Sequence, residues 1–179
     1  MLQNNNEGKK EIIDQLKKLR KKSEINRQAY SIQYSRYAKI AKLLHAFILV
    51  SSCVTATLIF TDYTVFKPIV HNLTEDVYKL VNGGIATLVF VLTIIEESFK
   101  PGNIAKEYDV AIKRYTEFIR NINYVVNTKN ADDKEARKII DKYNFICELS
   151  PQIPDRIFVK AKKKLLRKIE ISKALDRDP

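Results

Sequence analysis

Residues 43–60 read LLHAFILVSSCVTATLIF and residues 80–95 read LVNGGIATLVFVLTII; what solvates these two runs decides the fold. Neither contains Asp, Glu, Lys or Arg, in a chain of which 30% is charged. As α-helix at about 1.5 Å per residue they measure roughly 27 and 24 Å. A spanning helix uses about 20 apolar residues, so both are at the short end. Thr61 extends the first run, while Val77, Tyr78 and Phe99 supply interfacial edges for the second, which brings both near the length a thin bilayer needs. The competing reading is a pair of buried helices in a soluble bundle. Helices of that kind carry a charged stripe every three or four residues, and neither run supplies one. The runs therefore predict a membrane hairpin, with spans at about 43–61 and 78–97.

The rest of the composition is that of helices. With 179 residues the chain is one module, or one small domain plus an anchor. Gly and Pro number only 4 and 5, so long loops are scarce. Leu, Ile, Lys, Glu and Ala fill most of what remains. Mean hydropathy is slightly negative, which hides the segregation of apolar residues into two blocks. The expected fold class is all-α: a two-helix transmembrane hairpin whose long helices extend into a cytoplasmic helical bundle. Cys53 and Cys147 are too far apart in kind and place for a disulfide framework, which fits a reducing compartment. With two histidines besides, no zinc spacing exists, and neither metal nor cofactor is expected. Catalytic signatures such as GxSxG, HExxH, a P-loop or GxGxxG are absent, and Gly83-Gly84 lies inside an apolar run, so an enzyme is the least supported class.

The formal net charge of +11 has three possible uses: nucleic acid, anionic lipid or topology. Its distribution favours the last. Residues 1–42 balance to +7, residues 61–79 to −1 and residues 96–179 to +5. The positive-inside rule then places both termini in the cytoplasm and residues 61–79 outside, as expected of a multi-pass protein of the bacterial inner membrane. More than forty polar residues precede Leu43, so a cleavable signal peptide is not expected.

In chain order, residues 1–23 form a basic amphipathic helix with Ile12, Ile13, Leu16 and Leu19 at helical spacing. It can pack on a partner, on anionic headgroups or on the chain's own C-terminal region. Ser23 with Glu24 and Asn26 suggests a cap or break. Residues 24–100 comprise an extended helix and the hairpin; Tyr30, Tyr34 and Tyr37 form one stripe leading to the first span. Pro68 ends any helix in the connector, and Thr74-Glu75-Asp76 offers an N-cap with acids in the first turn. Lys100-Pro101-Gly102-Asn103 punctuates the exit. Residues 101–179 are a cytoplasmic helical region. A long helix from Ile104 to about Val126 carries Ala105, Tyr108, Ile112, Tyr115, Ile119 and Ile122 on one face. A turn over 127–133 follows, with Asp132 or Asp133 capping a helix that presents Ile139, Ile140, Tyr143, Ile146 and Leu149. Asp155 then caps a last, strongly basic amphipathic helix.

Polar residues inside the spans are the candidate functional positions. His45, Ser51, Ser52 and Thr55 fall within roughly a 120° arc of the first span. In the second, Asn82, Ala86, Val89 and Thr93 share a face leading to Glu96 and Glu97. Such residues face protein or water rather than lipid. They serve either close span packing or the lining of a water path in an oligomer, with Glu96 and Glu97 as an acidic ring that favours cations. The alternative for these two acids is a solvated turn just outside the bilayer.

Several of these features in order resemble the SLATT family, two-span bacterial effectors found beside nucleotide-synthesising and SLOG-type sensor proteins. They are the tyrosine-bearing approach helix (Ala29-Tyr30, Tyr34, Arg36-Tyr37), the short connector, the exit Glu96-Glu97-Ser98-Phe99 followed by Ala105, Tyr108, Ala111 and Tyr115, and the loop Ile153-Pro154-Asp155 before a basic helix. The resemblance covers most of residues 24–170 and rests on order and spacing rather than on one motif. It implies an effector of an antiviral or conflict system, a homo-oligomer that opens a pore or perturbs the membrane and so kills or arrests the infected cell. It offers no catalytic residues. Its trigger would be a separate sensor, nucleotide-synthesising or reverse-transcriptase protein, or a diffusible nucleotide signal. The alternative is a membrane-anchored scaffold that recruits a cytoplasmic partner without permeabilising anything. Direct nucleic-acid binding would rest on the basic stretch KKLRKK at 17–22 and on residues 160–168.

Overall fold

The computed structural model describes residues 2–66, 68, 74–128 and 133–175, and these are helical almost throughout, with no strand among the described residues. The helices are α1 (Leu2–Phe60), α2 (Tyr63–Phe66), α3 (Glu75–Phe99), α4 (Pro101–Thr128), α5 (Asp133–Glu148) and α6 (Asp155–Leu175). They divide into two compact units. One combines Met1–Arg36 with Ile104–Pro179, and the other is Tyr37–Asn103.

The first unit is a bundle of α4, α5, α6 and the N-terminal part of α1. Through its buried and half-buried positions runs a seam with the alternating three-and-four spacing of paired helices. On α1 the seam takes in Leu16, Leu19, Ser23, Asn26, Tyr30 and Gln33; on α4, Tyr108, Ala111, Tyr115, Phe118, Ile122 and Val125; on α5, Ala136, Ile139, Tyr143 and Ile146. Tyr115, Phe118 and Ile122 are essentially inaccessible, and Ala29, Ala111 and Ala161 are small residues at fully buried positions, where helices can approach closely. The apolar face read from the sequence of α4 is thus off by one position in places: Ala111 and Phe118 join the core, whereas Ile112 only flanks it. Ile140 and Leu149, expected on the inner face of α5, are exposed.

The sequence suggests a break at Ser23, and α1 instead continues through it. The hydroxyl that would cap a new helix donates to the Leu19 carbonyl one turn back (2.9 Å), so the ladder is uninterrupted. Ser23 is fully buried, and burial against the bundle outweighs its weak preference for a cap. The tyrosine stripe also divides: Tyr30 is buried while Tyr34 is exposed. The turn at 127–133, including Asp132, lies mostly outside the described residues; α5 starts at Asp133. Asp155 is the first residue of α6 rather than its cap, since the Ile157 and Phe158 amides donate to the Pro154 carbonyl at 2.9 and 3.3 Å.

Polar bonds tie the bundle at its aromatic centre. Asn26 Nδ2 donates to the Tyr115 and Tyr143 hydroxyls at 3.2 and 3.4 Å, and Tyr30 donates to the Pro151 carbonyl at 3.0 Å. The Tyr30 and Tyr115 rings stack with centroids 5.4 Å apart. Tyr115 Oη lies 3.5 Å from Cys147 Sγ. Arg114 closes the end of α5 by donating to the Leu149 carbonyl (3.2 Å), one of the terminal acceptors a helix leaves open. Burial raises the Tyr30, Tyr115 and Tyr143 phenols above their ordinary value of 10.0, and proximity to Cys147 adds to this at Tyr115 and Tyr143.

Two outcomes are expected. Phe118→Ala should destabilise the bundle by about 3–5 kcal/mol, and Phe145→Ala, at an exposed site of the same unit, by less than about 0.5 kcal/mol; thermal melts followed by circular dichroism compare them. The three raised phenols favour the folded state while neutral. Their contribution is therefore complete below about pH 10 and is lost as the pH climbs past it toward their raised values. Absorbance titration should show Tyr30, Tyr115 and Tyr143 ionising only as the bundle unfolds, and their ionisation in a folded bundle would contradict this.

Candidate functional site

The second unit holds both uncharged runs. Within it α1 and α3 form an antiparallel pair fastened at both ends. At one end the Tyr78 hydroxyl donates to the Thr61 carbonyl (2.7 Å) and makes a second, short contact to the Leu58 carbonyl. These are carbonyls at the end of α1 that lack a partner in their own helix or share one. The Tyr78 ring also stacks on Phe66, centroids 5.8 Å apart. At the other end His45 Nδ1 lies 3.6 Å from Glu96 Oε1, an ion pair when the imidazole is protonated.

The helix ends follow from local chemistry. Thr74 caps α3 as its sequence suggests, its hydroxyl accepting from the Val77 amide (3.3 Å), with Glu75 and Asp76 in the first turn. Lys100 ends α3 in the left-handed region (φ 41°, ψ 52°), its amide donating to the Glu96 carbonyl at 2.9 Å. For a residue with a Cβ this conformation costs about 1–2 kcal/mol. Pro101 then occupies the first position of α4, where its fixed φ suits a helix start.

Between the two fastenings, the less exposed positions again mark a seam. On α1 they are Ala41, Leu44, Ile48, Ser51, Thr55 and Leu58; on α3, Tyr78, Asn82, Ile85, Val89, Leu92 and Glu96, with Ala86 beside them. Both series alternate by threes and fours, the 3.5-residue period of paired helices. Of the ten candidate positions, Ser51, Thr55, Asn82, Ala86, Val89 and Glu96 lie on the seam, whereas His45, Ser52, Thr93 and Glu97 are exposed. The two polar arcs read from the sequence therefore do not coincide with one surface. The aliphatic seam residues Leu44, Ile48, Ile85 and Leu92 are not legible in the sequence, because nothing distinguishes them from outward-facing neighbours in an all-apolar run. The pairing of His45 with Glu96 depends on the register of α1 against α3.

The hydroxyls are satisfied locally. Ser52, Thr55, Thr87 and Thr93 each donate to the carbonyl one turn back, at 2.7 to 2.9 Å. Such back-bonding lets a hydroxyl sit in an apolar medium without a water partner. Asn82 Oδ1 is inaccessible and without a partner among the described residues. Gly83 and Gly84 meet nothing: a Cβ on either would have no atom within 4 Å. At the His45–Glu96 end an open recess of about 460 Å³ is lined by Ala41, Lys42, His45, Glu96, Glu97 and the residues 100–103. Lys100 Nζ pairs with Glu97 there at 2.7 Å. Among the described residues no cluster of three His, Cys, Asp or Glu could hold a metal ion.

Two helices are long and apolar enough to cross a membrane, and only 6% and 0% of their most apolar windows are buried. A soluble-core reading requires these side chains to be inside. Instead Leu43, Phe47, Phe60, Leu80 and Phe90 each expose more than half of their surface. Tyr78→Phe should weaken the hairpin by about 1 kcal/mol through loss of a bond to the α1 terminus; faster amide exchange around residues 58–61, with no change in the bundle, is the expected reading.

Compared with known proteins, the chain matches no family model, and no curated protein or solved structure matches it either.

Proposed function

We propose that the chain is a two-span bacterial membrane effector of an antiviral or conflict system, which oligomerises to open a pore or disrupt the inner membrane when a partner protein or nucleotide signal triggers it. The observation that carries this is the exposed, uncharged surface of the α1–α3 pair. Water would solvate such a surface poorly, and a bilayer solvates it well, at roughly 25 cal/mol for each Å² of apolar area. The charge distribution supports cytoplasmic termini, with +7 and +5 on the flanks and −1 between the spans. The resemblance to SLATT effectors supplies the biological setting.

Oligomerisation is supported by the glycines. Gly83 and Gly84 each cost a helix about 1 kcal/mol relative to alanine, and within the chain they give nothing back. Small residues on a span serve close approach by another helix, here one from a second copy. A lone hairpin encloses no water path; several around an axis can, with the exposed Thr93 and Glu97 available to line it.

One observation favours the second reading, a membrane-anchored scaffold. Most of the polar span residues are spent on the intrachain seam or on their own helix, which is what packing without conduction would use. Membrane depolarisation and dye uptake on induced expression decide between the two. The effector reading expects both, with loss in Val54→Lys or Leu88→Lys, since a central lysine raises the insertion free energy by about 2.5–3.5 kcal/mol. Gly83→Leu should keep the protein in the membrane and abolish toxicity. Toxicity unaffected by these substitutions, or no depolarisation at all, overturns it.

A further inference from the structure

We propose that the groove between the N-terminal part of α1 and α5 is the docking site for an amphipathic helix of a partner protein, one that carries acidic residues beside its apolar face. The groove lies in the bundle unit. It does not depend on the membrane reading of the hairpin, and it goes beyond that reading by giving the chain a protein-binding surface of stated chemistry.

The groove encloses about 320 Å³. Leu16 and Ala136 are its buried residues, at 1% and 8% exposure. Ile12 and Leu19 on the α1 side are half-buried, and Ile140 on the α5 side is 38% exposed. Three large aliphatic side chains thus border an open channel in a unit that otherwise has a well-covered apolar core. The sequence of α5 places Ile140 on an inner face; in the structure that face is inner only when something lies in the groove.

Spacing identifies the occupant as a helix. Ile12, Gln15, Leu19 and Lys22 all line the groove and are three, four and three residues apart. This is the period of a helix seam, and the neighbouring seam of α1, through Leu16, Leu19, Ser23 and Asn26, repeats it where helices of the bundle already pack. On the facing wall Ala136 and Ile140 are one turn apart. From Ile12 to Lys22 the groove runs about 15 Å, or about three turns of a third helix laid alongside. Anchors at i, i+4 and i+7 of such a helix suit a channel of this length.

Charge identifies which helix. Lys18 and Lys22 line the groove one turn apart, and no acid lines it. Among the described residues neither meets a carboxylate; Asp14, one turn before Lys18, pairs with Lys17 at 3.6 Å. Lys22 Nζ lies over the Tyr143 ring, 5.3 Å from its centroid, which leaves its full charge uncompensated. Two ammonium groups one turn apart match two carboxylates one turn apart on a neighbouring helix. A fatty acid offers only one carboxylate, and an oligonucleotide leaves Ile12, Leu19 and Ile140 in water. A second copy fails on charge. Basic against acidic residues number eleven to four in residues 1–42, four to three in α4, four to four in α5 and eight to two in α6, so no helix of the bundle unit is acidic.

The test uses the full chain in phosphatidylcholine nanodiscs and three fluorescent helical peptides of about 14 residues, roughly 21 Å long. They share one leucine face and carry Glu, Gln or Lys beside it; anisotropy is read against empty nanodiscs. The Glu-flanked peptide should bind tightest and the Lys-flanked one weakest. Lys18→Glu with Lys22→Glu should weaken the first by about tenfold or more and reverse the order. Ile140→Asp should weaken all three by about tenfold, whereas Phe145→Asp, at an exposed site elsewhere on α5, should change nothing. Lys163→Glu with Lys164→Glu alters net charge equally and should leave binding intact. The lysine variants keep the test open if Ile140→Asp does not fold.

No binding of any peptide up to about 1 mM overturns the proposal, as does an order of affinities that Lys18→Glu with Lys22→Glu leaves unchanged. An equal loss in the α6 double variant overturns it too, since attraction would then be to net charge alone. So does palmitate, a single-stranded oligonucleotide or a second copy of the chain occupying the groove in preference to the peptides, read as binding or dimerisation that Ile140→Asp removes. Peptide binding is measured without ion flux, so a chain that binds as expected but never depolarises a membrane keeps the groove and loses only the effector reading.

Discussion

Everything in this molecule follows from the absence of charge over residues 43–60 and 80–95. A helix satisfies its own backbone polar groups, so it tolerates an apolar medium, and only side chains can then forbid one. In α1 and α3 they do not forbid it. Leucine, valine, isoleucine and phenylalanine face outward, and the hydroxyls of Ser52, Thr55, Thr87 and Thr93 turn back onto their own helices. What little inward face exists is a narrow seam, closed by Tyr78 at one end and by His45 with Glu96 at the other. The bundle unit obeys a different rule: it has an apolar core, and among the described residues no charged side chain is buried in it.

Both units use the same seam geometry, and this explains where reading the sequence succeeds and where it slips. Element positions are legible where their signals are local, as with Thr74 before two acids and Asp155 after a proline loop, whereas α4 begins at Pro101 and not at Ile104. Faces are less legible. A wheel of 100° per residue assumes an isolated helix, whereas paired helices repeat their contacts every 3.5 residues. Over three turns the difference rotates the contact line by about 30°. Leu92 rather than Thr93 lies on the seam of α3, and Ala111 rather than Ile112 in the core of α4.

Two further features were not available to local reasoning. Ser23 looks like a cap from its neighbours, but it is fully buried and its hydroxyl bonds back to the Leu19 carbonyl within a continuous α1. The meeting of His45 with Glu96 is set by hairpin register, and no pattern within either run encodes it. The candidate polar positions were thus found individually, while the partition between seam and exposed face required the pair. Thr93 and Glu97 stand outside; Asn82 and Ala86 stand within.

The account is tested most directly by alkaline carbonate extraction of membranes from cells making the intact chain. That treatment strips proteins held by charge or by peripheral contacts and leaves those held by apolar helices in lipid. The chain is predicted to remain entirely with the pelleted membrane. Recovery of the chain in the supernatant would mean that some protein surface, and not lipid, covers α1 and α3.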